Sequence, residues 1–275
     1  MSEKKRYSRP ALVGTGTIAC SLAACATALG PVRVLARSDA SASRAEESVA
    51  KLCDRTPSGD ARNAQLTTEI NDLADRDLLV ESIVEDMEVK APLLRALADA
   101  CPESEFASTT SSLSIAVLAE RGNVPGRLFG LHVFHPVTRM ELVELCLPSA
   151  LRSGAAERAR AFCEELGKRA VEVPDRPGFV VNRLLFPYLF DAVRTLKSTG
   201  LEAEDLDACM TLGAGYPMGP LKLLDFIGID VAVAVGRGLH AETGEDNHRP
   251  PPLLDEMVRT NTLGRKSKAG FYDYD

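Results

Sequence analysis

One histidine and one glutamate, His132 and Glu144, stand twelve residues apart in the apolar stretch GLHVFHPVTRMELVEL at 130–145. An imidazole of ordinary pKa near ~6.5 exchanges a proton at neutral pH, and a carboxylate on its other nitrogen fixes the tautomer and stabilises the cation. Such a pair is the minimum for acid–base chemistry. Two elements must position it: Val133 and Phe134, then Leu142, Val143 and Leu145, read as two short buried strands joined by a connection that contains Pro136 and runs to Arg139. Strands joined in this way can bring both side chains to one cleft. A buried histidine satisfied by a backbone carbonyl fits the same stretch.

A second constellation opens the chain. Residues 11–18, ALVGTGTI, form a short apolar strand that runs into glycines, residues 19–29 form a small-residue helix ending at Gly30, and 32–35 form a second strand. Gly14, Gly16 and Ala19 give GxGxxA. Gly14 makes the tight turn, Gly16 lets backbone approach a pyrophosphate, and Ala19 permits close helix–strand packing. Thr17 and Ile18 lead into that helix, whose free N–H groups suit an anion. A tight turn with no ligand is the competing reading.

Further on, residues 44–54 form a polar helix and 55–65 a turn-rich loop, after which a strand at 77–85, and a strand end followed by a hydroxyl-rich turn over 105–114, EFASTTSSLS, alternate with helices at 90–101 and 115–122. This alternation predicts a parallel sheet with helices on both faces and ligands at the carboxyl ends of its strands, where Ser111 and Ser112 fall. A helix cap is the other reading of those hydroxyls. Past a short strand at 170–173 the prolines at 174 and 177 stop regular structure, and the remaining segments are all helical. The fold expected is α/β: a Rossmann-type doubly wound sheet over 1–175, then a smaller all-helical domain over 176–275. A domain that small gains from packing on a second copy, so a homodimer is expected.

Composition excludes several classes. Hydrophobic residues make up 45% and charged residues 26%, and no run approaches the length of a membrane span. The basic start MSEKKRYSRP leads into no uninterrupted apolar segment, so a signal peptide is not expected and a cytoplasmic location is the default. A net charge of -7 without clustered Lys and Arg argues against nucleic acid as a partner. The seven cysteines include no CxxC pair and no histidine at ligand spacing, so no metal is expected.

The motifs TSSLSI at 110–115, GLHVFHPV at 130–137, MELVEL at 140–145, PGFVVNRLL at 177–185, LGAGYPMGP at 212–220 and GRKSKAGFY at 264–272 stand in one order along the chain. In that order and spacing the sequence resembles the L-3-hydroxyacyl-CoA dehydrogenase family, including the 3-hydroxybutyryl-CoA dehydrogenases, over essentially its whole length. The resemblance implies that His132 is the acid–base, that Glu144 pairs with it, and that Ser111 and Asn182 hydrogen-bond the substrate carbonyl across an interdomain cleft. It also puts Glu85, Lys90 and Lys266 on the cofactor; read from the residues alone, all three are solvated charges. The substrate would be an acyl thioester, with Ser48 and Arg55 as candidate contacts and Lys51 and Arg62 completing a weak basic set.

The chain departs from the family pattern at Thr109 and at His135, where asparagine is usual, and at Ala19. Its basic set is thinner than the family's lysine-rich helix. A dehydrogenase of free 3-hydroxy acids or of carrier-protein-linked acyl groups is therefore an alternative, and a non-catalytic scaffold is a remoter one. At the end of the second strand stands Ala36, where NAD-binding fingerprints place an acid; Arg37 and Ser38 follow. That substitution predicts NADP(H) in preference to NAD(H), with Arg37 and Ser38 on the phosphate. Asp39 could replace the missing acid through a loop shift, and Arg37 could be merely a solvated charge.

Overall fold

A computed structural model of the chain describes residues 6–275. The first five residues, part of the basic stretch considered for a leader, lie outside the described residues. The chain divides into two compact units, the first ending at Arg176 and the second running Pro177–Asp275.

The first unit is built on one eight-stranded sheet with the order β3-β2-β1-β4-β5-β6-β7-β8. Its strands are β1 Pro10–Val13, β2 Val32–Leu35, β3 Ala64–Thr67, β4 Leu78–Glu81, β5 Glu105–Ser108, β6 Leu128–Val133, β7 Leu142–Cys146 and β8 Arg169–Glu172. The helices of this unit are α1 Thr17–Ala26, α2 Asp39–Cys53, α3 Met87–Ala100, α4 Ile115–Arg121 and α5 Ala155–Glu165. Strands β1, β4, β5 and β6 are buried along their whole lengths, as strands covered on both faces must be, and their apolar runs follow from that. Leu12, Val34 and Val80 of the sheet share one core with Leu22 of α1, Val49 of α2 and Phe162 of α5.

Three features differ from the sequence reading. The sheet is parallel from β3 to β6, but β6 and β7 are antiparallel. Only residues 134–141 join them, too few for a crossover to a parallel neighbour. The turn-rich loop runs at its end into β3, a half-exposed edge strand paired with β2. Four residues reading AQLT carry too little apolar pattern to announce it. The polar helix starts at Asp39, five residues earlier than its pattern suggests, because Ser38 and Ser41 form a capping box.

The second unit is helical: α6 Val181–Thr199, α7 Ala203–Ala208, α8 Pro220–Ile227, α9 Ile229–Thr243 and α10 Pro252–Arg259. Phe186, Phe190, Leu224, Ile229, Leu239 and Leu254 form its core. Gly228, at φ 102, breaks what the sequence shows as one helical run into α8 and α9. Among the described residues no helix is long and apolar enough to cross a membrane.

Candidate active site

Strand order reverses about β1, with β2 on one side and β4 on the other. Crossovers from these strands leave in opposite directions, so a crevice must open at their carboxyl ends. A cavity of about 780 Å³ lies there, lined by Gly14, Gly16, Thr17 and Ile18 after β1, Ala36 and Arg37 after β2, Glu85 after β4, and Ser111 after β5. Gly14 has φ +126, and a Cβ on it would sit 2.3 Å from the backbone oxygen of Ser82. A Cβ on Gly16 would meet nothing within 4 Å, so its backbone borders open space. No side chain caps α1, so the N–H groups of its first turn face that space without a protein acceptor from a cap. Ala19 is fully buried behind the turn. The residues present therefore fit the diphosphate of a dinucleotide.

Glu85 organises the β5 end of the cavity. Its Oε1 accepts from Thr110 Oγ1 at 2.7 Å, from the backbone N–H groups of Ser111 and Ser112 at 2.7 and 2.9 Å, and from their hydroxyls at 3.2 and 2.9 Å. Partial burial raises the Glu85 carboxyl, but the Lys90 ammonium and these hydrogen bonds outweigh it, and the group stays below the ordinary carboxylate range. Of these contacts the one from the Ser111 hydroxyl is the longest, and a hydroxyl rotates freely about its C–O bond, so Ser111 keeps both donor and acceptor capacity toward the cavity.

Lys90 is no solvated charge. It is 1% exposed, and its Nζ lies 2.7 Å from Glu81 Oε1 and 3.4 Å from Glu85 Oε2. Glu81 in turn accepts from Ser108 Oγ at 2.6 Å and from the Ile83 N–H at 2.8 Å. Lys90 is thus behind Glu85, off the cavity wall, and serves as the buried counter-ion of two carboxylates. Ser38, expected on a phosphate, is likewise off the wall: its hydroxyl accepts from Ser41 N–H as the cap of α2.

His132 is the last but one residue of β6 and Glu144 lies opposite it in the β6–β7 register, so their side chains share one face of the sheet. His132 Nδ1 is 2.7 Å from Glu144 Oε2, and the two residues are 5% and 1% exposed. The carboxylate, not a backbone carbonyl, is the partner at that nitrogen. With the carboxylate accepting from Nδ1–H, the neutral ring carries its lone pair on Nε2. Because β6 runs parallel to β5 and β4, His132 stands at the same sheet edge as the cavity.

A second cavity, of about 550 Å³, shares the wall at residues 15–17, Ser41 and Arg44. Ser48, Lys51 and Arg55 line it, with His135 and Pro136 from the β6–β7 connection. Arg62 is not among them; it is 90% exposed and bonded to Asp60. Residues 41, 44, 48 and 51 recur at helical spacing along α2 and, with Arg55 just past its end, turn one polar face to this cavity. In the second unit, Asn182 is in the first turn of α6 and 9% exposed, and Lys266 pairs with Asp230.

Family comparison reaches both units. The model for the NAD binding domain of 3-hydroxyacyl-CoA dehydrogenase matches residues 10–176, and that for its C-terminal domain matches residues 178–274. The chain belongs to the 3-hydroxyacyl-CoA dehydrogenase family. A 3-hydroxybutyryl-CoA dehydrogenase of Clostridioides difficile is 41% identical over 210 residues, 76% of this chain and 75% of that one. The crystal structure of M. tuberculosis FadB2 superposes with a TM-score of 0.93 at 35% identity, covering 98% of this chain and 100% of that one. The structure of (S)-3-hydroxybutyryl-CoA dehydrogenase PaaH1 from Ralstonia eutropha gives 0.90 at 33% identity, covering 98% and 99%. As a member of the family the chain is a nicotinamide-dependent oxidoreductase.

Within that family frame, three residues of this chain escaped the sequence reading. Glu81 is an acid inside a wholly apolar strand, the one signal that could have marked it. Asp175 accepts from Ser114 Oγ and from the N–H groups of Ile115 and Ala116, and so holds the start of α4 just after the Ser111 turn. Arg44 lines both cavities; its spacing from Ser41 and Ser48 was the available sign.

Proposed function

We propose that this dehydrogenase interconverts a 3-hydroxyacyl-CoA and its 3-ketoacyl form, that it uses NADP(H) in preference to NAD(H), and that His132 and Glu144 are its acid–base pair. The observation that carries the reading is the buried imidazole–carboxylate bond at the sheet edge where the cavity opens. The bound nicotinamide supplies the hydride acceptor, or the donor in the reverse direction. In oxidation, His132 takes the hydroxyl proton at Nε2 while Glu144 stabilises the imidazolium; in reduction, the same nitrogen returns a proton to the ketone oxygen. Ser111 donates a hydrogen bond to that oxygen, with Asn182 the second donor that the resemblance implies. Glu85 sets the turn, and Lys90 keeps it ionised. Lys266 is the further cofactor contact that the resemblance implies.

The acyl handle is proposed to lie in the second cavity, where Ser48, Lys51 and Arg55 offer a hydroxyl and two cations to CoA phosphates. The cofactor preference is supported by Ala36 and Arg37 on the wall of the first cavity, with Asp39 off it. A nearby acid would accept from ribose hydroxyls and repel a phosphate; Ala36 does neither, and Arg37 attracts. We also propose a homodimer formed mainly through the helical unit.

The deciding experiment is a kinetic panel of acetoacetyl-CoA, longer 3-ketoacyl-CoAs, acetoacetyl-pantetheine and free 3-hydroxy acids, each with NADPH and NADH. The CoA thioesters should lead, with pantetheine weaker by about 1 to 3 kcal/mol for each phosphate hydrogen bond that it cannot form. Free acids turned over as well as CoA thioesters would reject the substrate assignment. NADPH should exceed NADH by about ten- to a hundredfold in kcat/KM. The Ala36→Asp, Arg37→Gln double variant should shift toward NADH, and no shift would defeat the cofactor assignment.

A further inference from the structure

The wall of the larger cavity carries three charged side chains, Arg37, Arg44 and Glu85. Glu85 is at the β4 end and is occupied by the Ser111 turn and Lys90. The β2 end, where Ala36 and Ser41 also line the wall, therefore holds two guanidiniums and no carboxylate. Other arginines nearby are paired: Arg33 on β2 with Asp72, and Arg62 with Asp60. Arg37 and Arg44 have no ion pair among the described residues, and Asp39, the first residue of α2, is not on the wall.

A ribose with free hydroxyls gives such a pair nothing to neutralise. A phosphate monoester, with a charge of about -1.5 to -2 at neutral pH, takes two cations and matches the fork of each guanidinium. We propose that Arg44 is a second specificity-determining cation for the cofactor, reading the 2′-phosphate together with Arg37. The inference rests on the NADP(H) reading and extends it to a residue on the next helix, which also faces the second cavity. That double exposure sets the rival role: a cation that serves only the acyl handle.

Calorimetric titration with 2′,5′-ADP and 5′-AMP, carried out with the protein saturated with acetoacetyl-CoA so that any site for the CoA head group is already filled, separates the two roles. In Arg44→Gln, affinity for 2′,5′-ADP should fall by about tenfold, an exposed cation acting at the lower end for charge-assisted bonds, while 5′-AMP should move far less. The NADPH-to-NADH ratio of kcat/KM at saturating acetoacetyl-CoA should fall by a similar factor. Arg44→Lys should keep part of the discrimination, since an ammonium supplies the charge without the fork. If Arg44→Gln binds 2′,5′-ADP as the wild type does, the assignment fails whatever happens to the KM of the thioester. If Arg37→Gln loses discrimination and Arg44→Gln keeps it, the NADP(H) reading stands and the role of Arg44 falls. If the wild type binds 5′-AMP as tightly as 2′,5′-ADP, the NADP(H) reading falls first and takes Arg44 with it.

Discussion

His132 Nδ1 and Glu144 Oε2 lie 2.7 Å apart between two buried residues, and in the proposed mechanism the carboxylate holds the ring proton on Nδ1. Replacing the carboxylate by an amide keeps the volume but removes the charge that stabilises the imidazolium. Glu144→Gln should therefore fold normally and lose about ten- to a hundredfold in kcat, and His132→Ala should lose more. Near-normal turnover of either variant with acetoacetyl-CoA would remove the pair from the mechanism. Glu85 offers a test by pH. Its carboxyl is held below the ordinary range, so its contribution to stability is complete above roughly pH 5 and is lost as pH falls through the lowered folded value. Denaturant melts of the wild type and Glu85→Gln should differ most at neutral pH and converge in acid. A difference that stays constant with pH would show that the carboxylate charge does not hold the Ser111 turn.

At the scale of elements, the turn between β1 and α1 separates a structural glycine from one that a ligand requires. Gly14→Ala places a methyl 2.3 Å from a backbone oxygen at φ +126. The strained conformation alone costs on the order of 1 to 3 kcal/mol, and the clash adds to it, so the melting temperature should drop. Gly16 has φ -74, which any residue adopts, and its Cβ would enter open space. Gly16→Ala should keep stability within about 0.5 kcal/mol and instead weaken nucleotide binding, because its methyl occupies the space proposed for the diphosphate. Calorimetric titration with NADPH beside a thermal melt distinguishes the two. A large melting loss in Gly16→Ala would mean that the turn is built otherwise.

For the whole molecule, the two units raise different questions of stability. Both units expose some large apolar side chains, but the helical unit is the smaller and carries the most exposed of them, with Leu184 at 69% and Leu212 at 87%. Exposed apolar side chains on a small unit suit contact with a second copy. Light scattering of the full chain at micromolar concentration should give twice the mass of one chain, and Leu212→Asp with Leu184→Asp should shift it toward one. A monomeric wild type would reject the homodimer.

Much of this architecture is determined by local chemistry that a sequence carries openly. Glycines at 14 and 16 between an apolar strand and a small-residue helix leave few folds available, and helical periodicity beyond Pro177 leaves no strand to build. His132 and Glu144 were legible because ionisable residues inside apolar strands must have partners. What faces what was decided only by the tertiary structure. Periodicity assigns a residue to a face of its own element, but Lys90 looks the same in the sequence whether that face meets water or Glu81. Ser38 could cap a helix or hold a phosphate, and only the folded chain shows that its hydroxyl caps α2. Four half-exposed residues became β3 only because β2 offered an edge. Arg44 drew no notice for the same reason: the residues that join it on the cavity walls come from the β1–α1 turn, from β2 and from the β6–β7 connection, and only the folded sheet sets those segments around one helix.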